Sequence, residues 1–245
     1  MQQGDRLSPE LEGRRALVTG GTRGIGESIA ARLHEDGAEV TVTGTRKGAA
    51  APKGCSYLDV DFGDAAATER FAQRVADQQV DILVNNAGVN VVAPFAEIAT
   101  DDFDRIHRVN VRAPMLLCRA VLAPMRARGW GRIVNVSSIF GVVSREQRAS
   151  YSATKFALDG MTAALASEAA ADGVLANCVA PGFIDTELTR RVLGEAGMVA
   201  TVSSVPAGRL GRPTEVAELV AWLAGPRNTY VSGQNVVIDG GFTRT

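Results

Sequence analysis

Short apolar runs alternating with longer amphipathic ones constrain this chain more than any other feature of it. Residues 16–18, 40–42, 55–58, 81–84, 132–136, 174–179 and 235–238 are brief and apolar, the pattern of strands buried on both faces. Between them, residues 25–33, 65–76, 103–126 and 151–171, and the stretches around 186–193 and 214–224, carry helical spacing. Parallel neighbours need a crossover of a dozen residues or more, usually a helix. The alternation therefore predicts an α/β fold with a parallel sheet flanked by helices. Pro114 is expected to bend or interrupt the long helix over 103–126. No Pro/Gly/Ser-rich linker divides the series, so 1–245 reads as one domain, with residues 1–12 as a flexible extension.

Charge and composition narrow the functional classes. A net charge of −1 without a basic tract gives no electrostatic footprint for nucleic acid. The first residues lack the apolar core of a signal peptide, and no apolar run is long enough to span a bilayer. Cys55, Cys118 and Cys178 are odd in number and widely spaced, which suits reduced core residues rather than disulfides. His34 and His107 stand apart from any ligand cluster, so no metal is expected. A cytoplasmic location is the expectation.

Two local patterns carry chemistry. Thr19-Gly20-Gly21-Thr22-Arg23-Gly24-Ile25-Gly26 joins the first strand to the first helix. Glycines there permit a tight turn and close approach of backbone to a pyrophosphate, whose charge the helix N-terminus favours. The spacing is Gly-x-x-x-Gly-x-Gly, not Gly-x-Gly-x-x-Gly. Further on, Tyr151 and Lys155 are four apart on a helix, hence neighbours on one face, with Ser138 upstream. A phenol titrates near ~10 and is a poor acid–base catalyst at neutral pH. A neighbouring ammonium is expected to lower that value.

Together these motifs resemble the short-chain dehydrogenase/reductase family. The resemblance covers nearly the whole chain: Thr19 to Gly26, Asn85-Asn86-Ala87-Gly88, Asn110, Ser138, Tyr151 with Lys155, Pro181-Gly182, and the tail from Ser232 through Gly241. It implies a single-domain, doubly wound Rossmann fold with seven parallel strands, helices on both faces, and a bound nicotinamide dinucleotide. It assigns Tyr151 as general acid/base and gives Lys155 a hydrogen bond to the nicotinamide ribose. Ser138, rather than its neighbour Ser137, polarises the carbonyl. Asn110 anchors a proton-relaying water in that family; its other reading is a cap on a helix kink near Pro114. For the cofactor, the resemblance implies contacts from Gly20, Thr22, Arg23, Gly24, Ile25, Gly26, Asn86, Ala87, Gly88, Tyr151 and Lys155. It adds Asp61 with Phe62 at the adenine, Asp59 competing with Asp61, and Pro181, Gly182, Ile184 and Thr186 at the carboxamide. The second strand ends Thr43-Gly44-Thr45-Arg46-Lys47 without the carboxylate that repels a 2′-phosphate. Arg23 and Arg46 are placed to bind that phosphate. NADP(H) is thus favoured, with NAD(H) possible.

The resemblance also frames the substrate. Residues 205–209 and the tail look like the 3-oxoacyl-carrier-protein reductases, which dock an acidic carrier protein through two arginines. The matching positions here are Gly129 and Asp172, with Arg126, Arg128 and Arg132 nearby. A small keto or hydroxy compound therefore leads as substrate, ahead of an acyl carrier protein. Residues 188–205 are expected to form a mobile lid, and residues 144–148 to border the substrate cleft, where their charges hint at a polar or anionic substrate. A homotetramer is usual for such proteins. A catalytically silent, dinucleotide-binding regulatory protein is the answer of another class.

Overall fold

The computed structural model describes residues 10–244, apart from the side chains of residues 188, 192, 195 and 196. Seven strands form one sheet: β1 (Arg15–Val18), β2 (Glu39–Gly44), β3 (Ser56–Asp59), β4 (Ile82–Asn85), β5 (Gly131–Val136), β6 (Val174–Pro181) and β7 (Asn235–Ile238). They lie in the order β3-β2-β1-β4-β5-β6-β7, every pair parallel. The order reverses between β1 and β4, which opens a crevice at the carboxyl edge where α/β folds bind ligands.

Period-two alternation sorts side chains to the two faces. Ala16, Val18, Ile82, Val84 and Val134 enter one core with α1 (Gly24–Glu35) and α7 (Pro213–Ala224). Leu17, Leu83 and Ile133 enter the other with α2 (Ala65–Ala76), α4 (Ala113–Ala127) and α5 (Ala149–Ala169). This is the doubly wound architecture that the alternation and the resemblance implied. Among the described residues no helix is long and apolar enough to cross a membrane. All three cysteines are free.

Two expectations change. Residues 1–9 lie outside the described residues, but Leu11 is buried in the first core and donates its N–H to the Asp36 carbonyl at 2.8 Å. The anticipated flexible extension thus already belongs to the fold at that point. The helix over 103–126 is not continuous: α3 (Thr100–His107) passes into a π-helical turn (Arg108–Arg112) before α4. Pro114 sits in the first turn of α4, a position that tolerates its missing N–H. The interruption therefore falls just before the proline, in a wider turn. The stretch expected as a mobile lid is α6 (Glu187–Ser204), helical but kinked at Gly194, whose φ is +63°.

The loop from β1 to α1 is drawn tight by packing. Gly20 has φ +64°, and a Cβ there would lie 2.9 Å from the Ala87 Cα. A Cβ at Gly26 would strike the Gly20 carbonyl and the Asn86 amide nitrogen. Gly26→Ala should therefore cost about 1–3 kcal/mol. For a chain of this length that is a melting temperature lower by about 5 °C. An unchanged melting temperature would contradict this packing.

Candidate active site

The site is assembled where β5 ends. After Val136 the chain runs through Ser137 and Ser138 into a short 3-10 turn (Ile139–Gly141) lying against α5. Gly141 allows that contact, since a Cβ there would come 2.9 Å from the Lys155 carbonyl oxygen. The Ser137 hydroxyl donates to the same oxygen at 3.3 Å and so holds the turn on the helix. Ser138 caps the turn, accepting the Phe140 N–H at 3.1 Å, and stands beside the Tyr151 phenol. Of the two serines, Ser138 is the one placed beside the phenol.

Lys155 is 4% exposed, and its ammonium donates to the Val136 carbonyl at 2.7 Å. Its Nζ lies 5.5 Å from the centroid of the half-buried Tyr151 ring. Asn110 is fully enclosed inside the π turn. Its Oδ1 accepts the Val89 N–H at 2.9 Å, and its Nδ2 donates to the Val89 carbonyl at 2.9 Å and to Thr154 Oγ1 at 3.1 Å. Thr154 in turn donates to the Tyr151 carbonyl at 2.7 Å. Asn110 thereby ties the loop after β4 to the helix that carries Tyr151. A Cβ at Gly88 would lie 3.5 Å from Asn110 Oδ1 and 3.9 Å from Lys155 Nζ, so these groups share one corner of the crevice.

The dinucleotide half of the crevice lies beside them. Gly24 has φ +58°, and no side chain caps the first N–H groups of α1. Thr186 caps α6 by accepting the Thr189 N–H at 3.2 Å, and its Cγ2 would lie 3.6 Å from a Cβ at Gly24. The β6–α6 loop therefore closes over the glycine turn. Pro181 ends β6 beside β7, and a Cβ at the following Gly182 would meet the Asp239 Cβ at 2.7 Å. Ile184 is buried in the first core, so only its backbone can face a ligand. Thr22 and Gly44 nearly touch, since a Cβ at Gly44 would lie 3.2 Å from Thr22 Cγ2. Uncapped N–H groups, a side-chain-free floor and no carboxylate over residues 43–47 fit a dinucleotide carrying an extra phosphate.

Other expected cofactor residues do different work. Asn86 donates from its side chain to the Thr19 carbonyl at 2.9 Å and the Gly20 carbonyl at 3.0 Å, which stitches the glycine turn to β4. Asp61 Oδ1 accepts the Gly63 N–H at 2.8 Å in a local turn. The Phe62 ring is core, edge-on to Phe71 at 5.9 Å, so its side chain cannot line the cleft. Arg23 pairs with Glu187 at 3.6 Å. Ile25, by contrast, packs on the first core. A hollow of about 690 Å³, lined by Arg15, His34, Glu39 and Arg74, opens at the opposite, amino edge of the sheet. None of the expected site residues reaches it.

Known proteins resemble this chain in sequence and fold. The family described as enoyl-(acyl carrier protein) reductase matches residues 20–243. A 3-oxoacyl-[acyl-carrier-protein] reductase of Vibrio harveyi is 38% identical over 94% of this chain and 98% of its own. The chain belongs to the short-chain dehydrogenase/reductase family. Among solved structures, a gluconate 5-dehydrogenase from Burkholderia cenocepacia, in complex with NADP and tartrate, superposes with a TM-score of 0.89. That pair is 32% identical and covers 97% of this chain and 98% of the other. A 3-oxoacyl (acyl-carrier-protein) reductase from Agrobacterium tumefaciens with NADP bound gives 0.88 at 30% identity, covering 97% and 98%.

In this short-chain dehydrogenase/reductase the pKa pattern departs from expectation. Burial pushes the Tyr151 phenol above its ordinary 10, opposed by the hydrogen bond from Ser138 and then by the Arg148 cation. The Lys155 ammonium, 5.5 Å from the ring centroid, is itself buried. Burial lowers Lys155 to about 8. The ammonium sits at the ring and donates to the Val136 carbonyl, and burial, not the cation, sets the direction of the phenol's shift. Thr19, Val89, Thr154 and Arg148 are structural members of the site that motif spacing did not mark. Thr19 Oγ1 alone accepts the Asn86 and Ala87 N–H groups, at 2.9 and 3.0 Å. Among the described residues no cluster suits a metal ion.

The Lys155 shift has a sign that can be measured. Below pH 8 the ammonium is charged in both folded and unfolded chains, and its burial costs stability in full. Between 8 and 10.5 the unfolded chain holds more protons, so stability rises with pH. Relative to Lys155→Met, the wild type should gain about 3 kcal/mol across that window in denaturant unfolding. A constant gap would contradict it.

Proposed function

We propose that this protein is an NADP(H)-dependent oxidoreductase that interconverts a carbonyl and a secondary alcohol on a small keto or hydroxy compound. The observation that carries the reading is the Tyr151 ring, its centroid 5.5 Å from Lys155 Nζ and its phenol beside Ser138, at the carboxyl-edge crevice. Bound nicotinamide supplies or accepts the hydride. Ser138 and Tyr151 together hold the substrate oxygen, and Ser138 stabilises the charge that grows on it. The raised phenol stays protonated near neutrality, so Tyr151 donates the proton as an alkoxide forms. In the reverse direction Tyr151, as the phenolate, takes the proton from the alcohol. Lys155 supplies a buried cation beneath the ring and a donor toward the nicotinamide ribose. Asn110 keeps the π turn, Val89 and Thr154 in register with Tyr151. Thr22, Arg23 and Arg46 flank the place for a 2′-phosphate, and NADP in related crystals supports that preference.

A 3-oxoacyl-carrier-protein reductase is the second reading, favoured by the names of relatives. The arginines near its docking positions argue against it. Arg126 pairs with Asp172 at 2.9 Å, Arg128 with Asp81 at 3.3 Å, and Arg132 is buried among the carbonyls of Gly131, Gly173 and Asn228. Three free thiols fit the reducing cytoplasm. The reading includes a homotetramer; the exposed rings of Phe95 and Phe103, beside a hollow of about 330 Å³, offer apolar surface for such packing.

Tyr151→Phe should keep NADPH binding, read by nucleotide fluorescence, and lose at least about 10²-fold in turnover on its best ketone. In the same assay kcat/KM with NADPH should exceed that with NADH. Near-normal turnover in the variant would overturn the proton-donor role, and equal use of NADH would overturn the cofactor preference.

A further inference from the structure

Arg148 caps the amino end of α5, one turn before Tyr151. It is only 7% exposed, yet its buried Nε has no hydrogen-bond partner. Among the described residues its side chain makes no ion pair. What it does touch is aromatic: its guanidinium carbon lies 5.6 Å from the Phe140 ring centroid. The Arg145 guanidinium stands over the same ring at 6.0 Å. Phe140 meets Tyr151 and Phe183 edge-on at 6.4 Å each, so this ring lies between both arginines and the Tyr151 ring.

Burying a guanidinium without a partner is costly, and such groups are normally paired. Here the setting makes matters worse. A second arginine lies close by, the first turn of α5 contains no acid, and the helix presents its positive end. Burial and Arg145 both depress Arg148 below the usual arginine value, while the cation acts on the Tyr151 phenol. Glu146, the acid within residues 144–148, forms no ion pair with either arginine. The corner of the crevice next to Tyr151 is thus preorganised for a negative charge that the described residues do not supply.

We propose that Arg148, reinforced by Arg145, receives a carboxylate of the substrate, so that the carbonyl compound reduced at Tyr151 is an oxo-carboxylate and the alcohol a hydroxy-carboxylate. The planar fork of Arg148 suits a carboxylate, and its place one turn from Tyr151 puts the anion beside the reacting carbonyl. The proposal rests on the reading of Tyr151 as proton donor, and it adds the substrate class.

The test titrates matched 2-, 3- and 4-oxo carboxylates of five or six carbons, and their methyl esters, into NADP⁺-loaded protein by calorimetry. Wild type should bind its best acid about tenfold or more tightly than the corresponding ester. In Arg148→Gln that ratio should fall to about one, and Arg148→Lys should restore part of it; thermal melts confirm that both variants are folded. Equal binding of acids and esters by wild type would overturn the proposal, as would a ratio unchanged in Arg148→Gln. If Arg148 only tuned Tyr151, the variant would shift the pH profile for acid and ester alike and leave the ratio intact. Absence of NADP⁺ binding would instead sink the enzymatic reading, and the same titration on unloaded protein still reports on the arginines.

Discussion

One buried ammonium organises the reactive half of this molecule. Lys155 reaches the carbonyl at the end of β5 across the interface between sheet and helix. Because a buried cation needs a partner, this contact helps fix the axial position of α5. That position places the Tyr151 ring above the ammonium and its hydroxyl at Ser138. Gly141 and Ser137 follow from the same constraint, since both serve to bring the turn after β5 against the Lys155 backbone. Protonation is set here too. Burial moves the phenol up and the ammonium down, which keeps tyrosine as a neutral proton donor, the form that carbonyl reduction uses.

The dinucleotide half depends on a different device, a knot of backbone and amide. Asn86 and Thr19 bind the glycine turn to the end of β4, while Gly20 and Gly26 remove the atoms that would hold it apart. Thr186 then brings the β6–α6 loop over Gly24. The two halves meet at Gly88, Asn110 and Lys155.

Much of this was legible in the sequence because strands buried on both faces leave short apolar runs that nothing else in the chain imitates. Strand β7 and helix α2 have the expected bounds for that reason. The π turn was not legible. An extra residue in one helical turn leaves the apolar pattern nearly unchanged, and the proline drew attention to the wrong place. Nor was the burial of Arg148, since a charged loop reads as solvated unless its packing is known. Leu11 and Phe62 make the same point from the apolar side: a single hydrophobic residue in a polar stretch does not announce which core receives it. The Tyr151 shift failed for a different reason. Spacing shows that a cation is near, but the balance between cation and burial depends on where the ammonium points.

The protonation state of Tyr151 is the claim on which the chemistry turns. With only three tyrosines in the chain, ¹³Cζ-labelled tyrosine and NMR titration can follow each phenol, with Tyr151→Phe assigning the signal. In the cofactor-free protein the Tyr151 resonance should remain that of the neutral phenol through pH 9 and titrate above 10. A midpoint at or below pH 8 would show that the cation, not burial, governs the site, and would contradict this account.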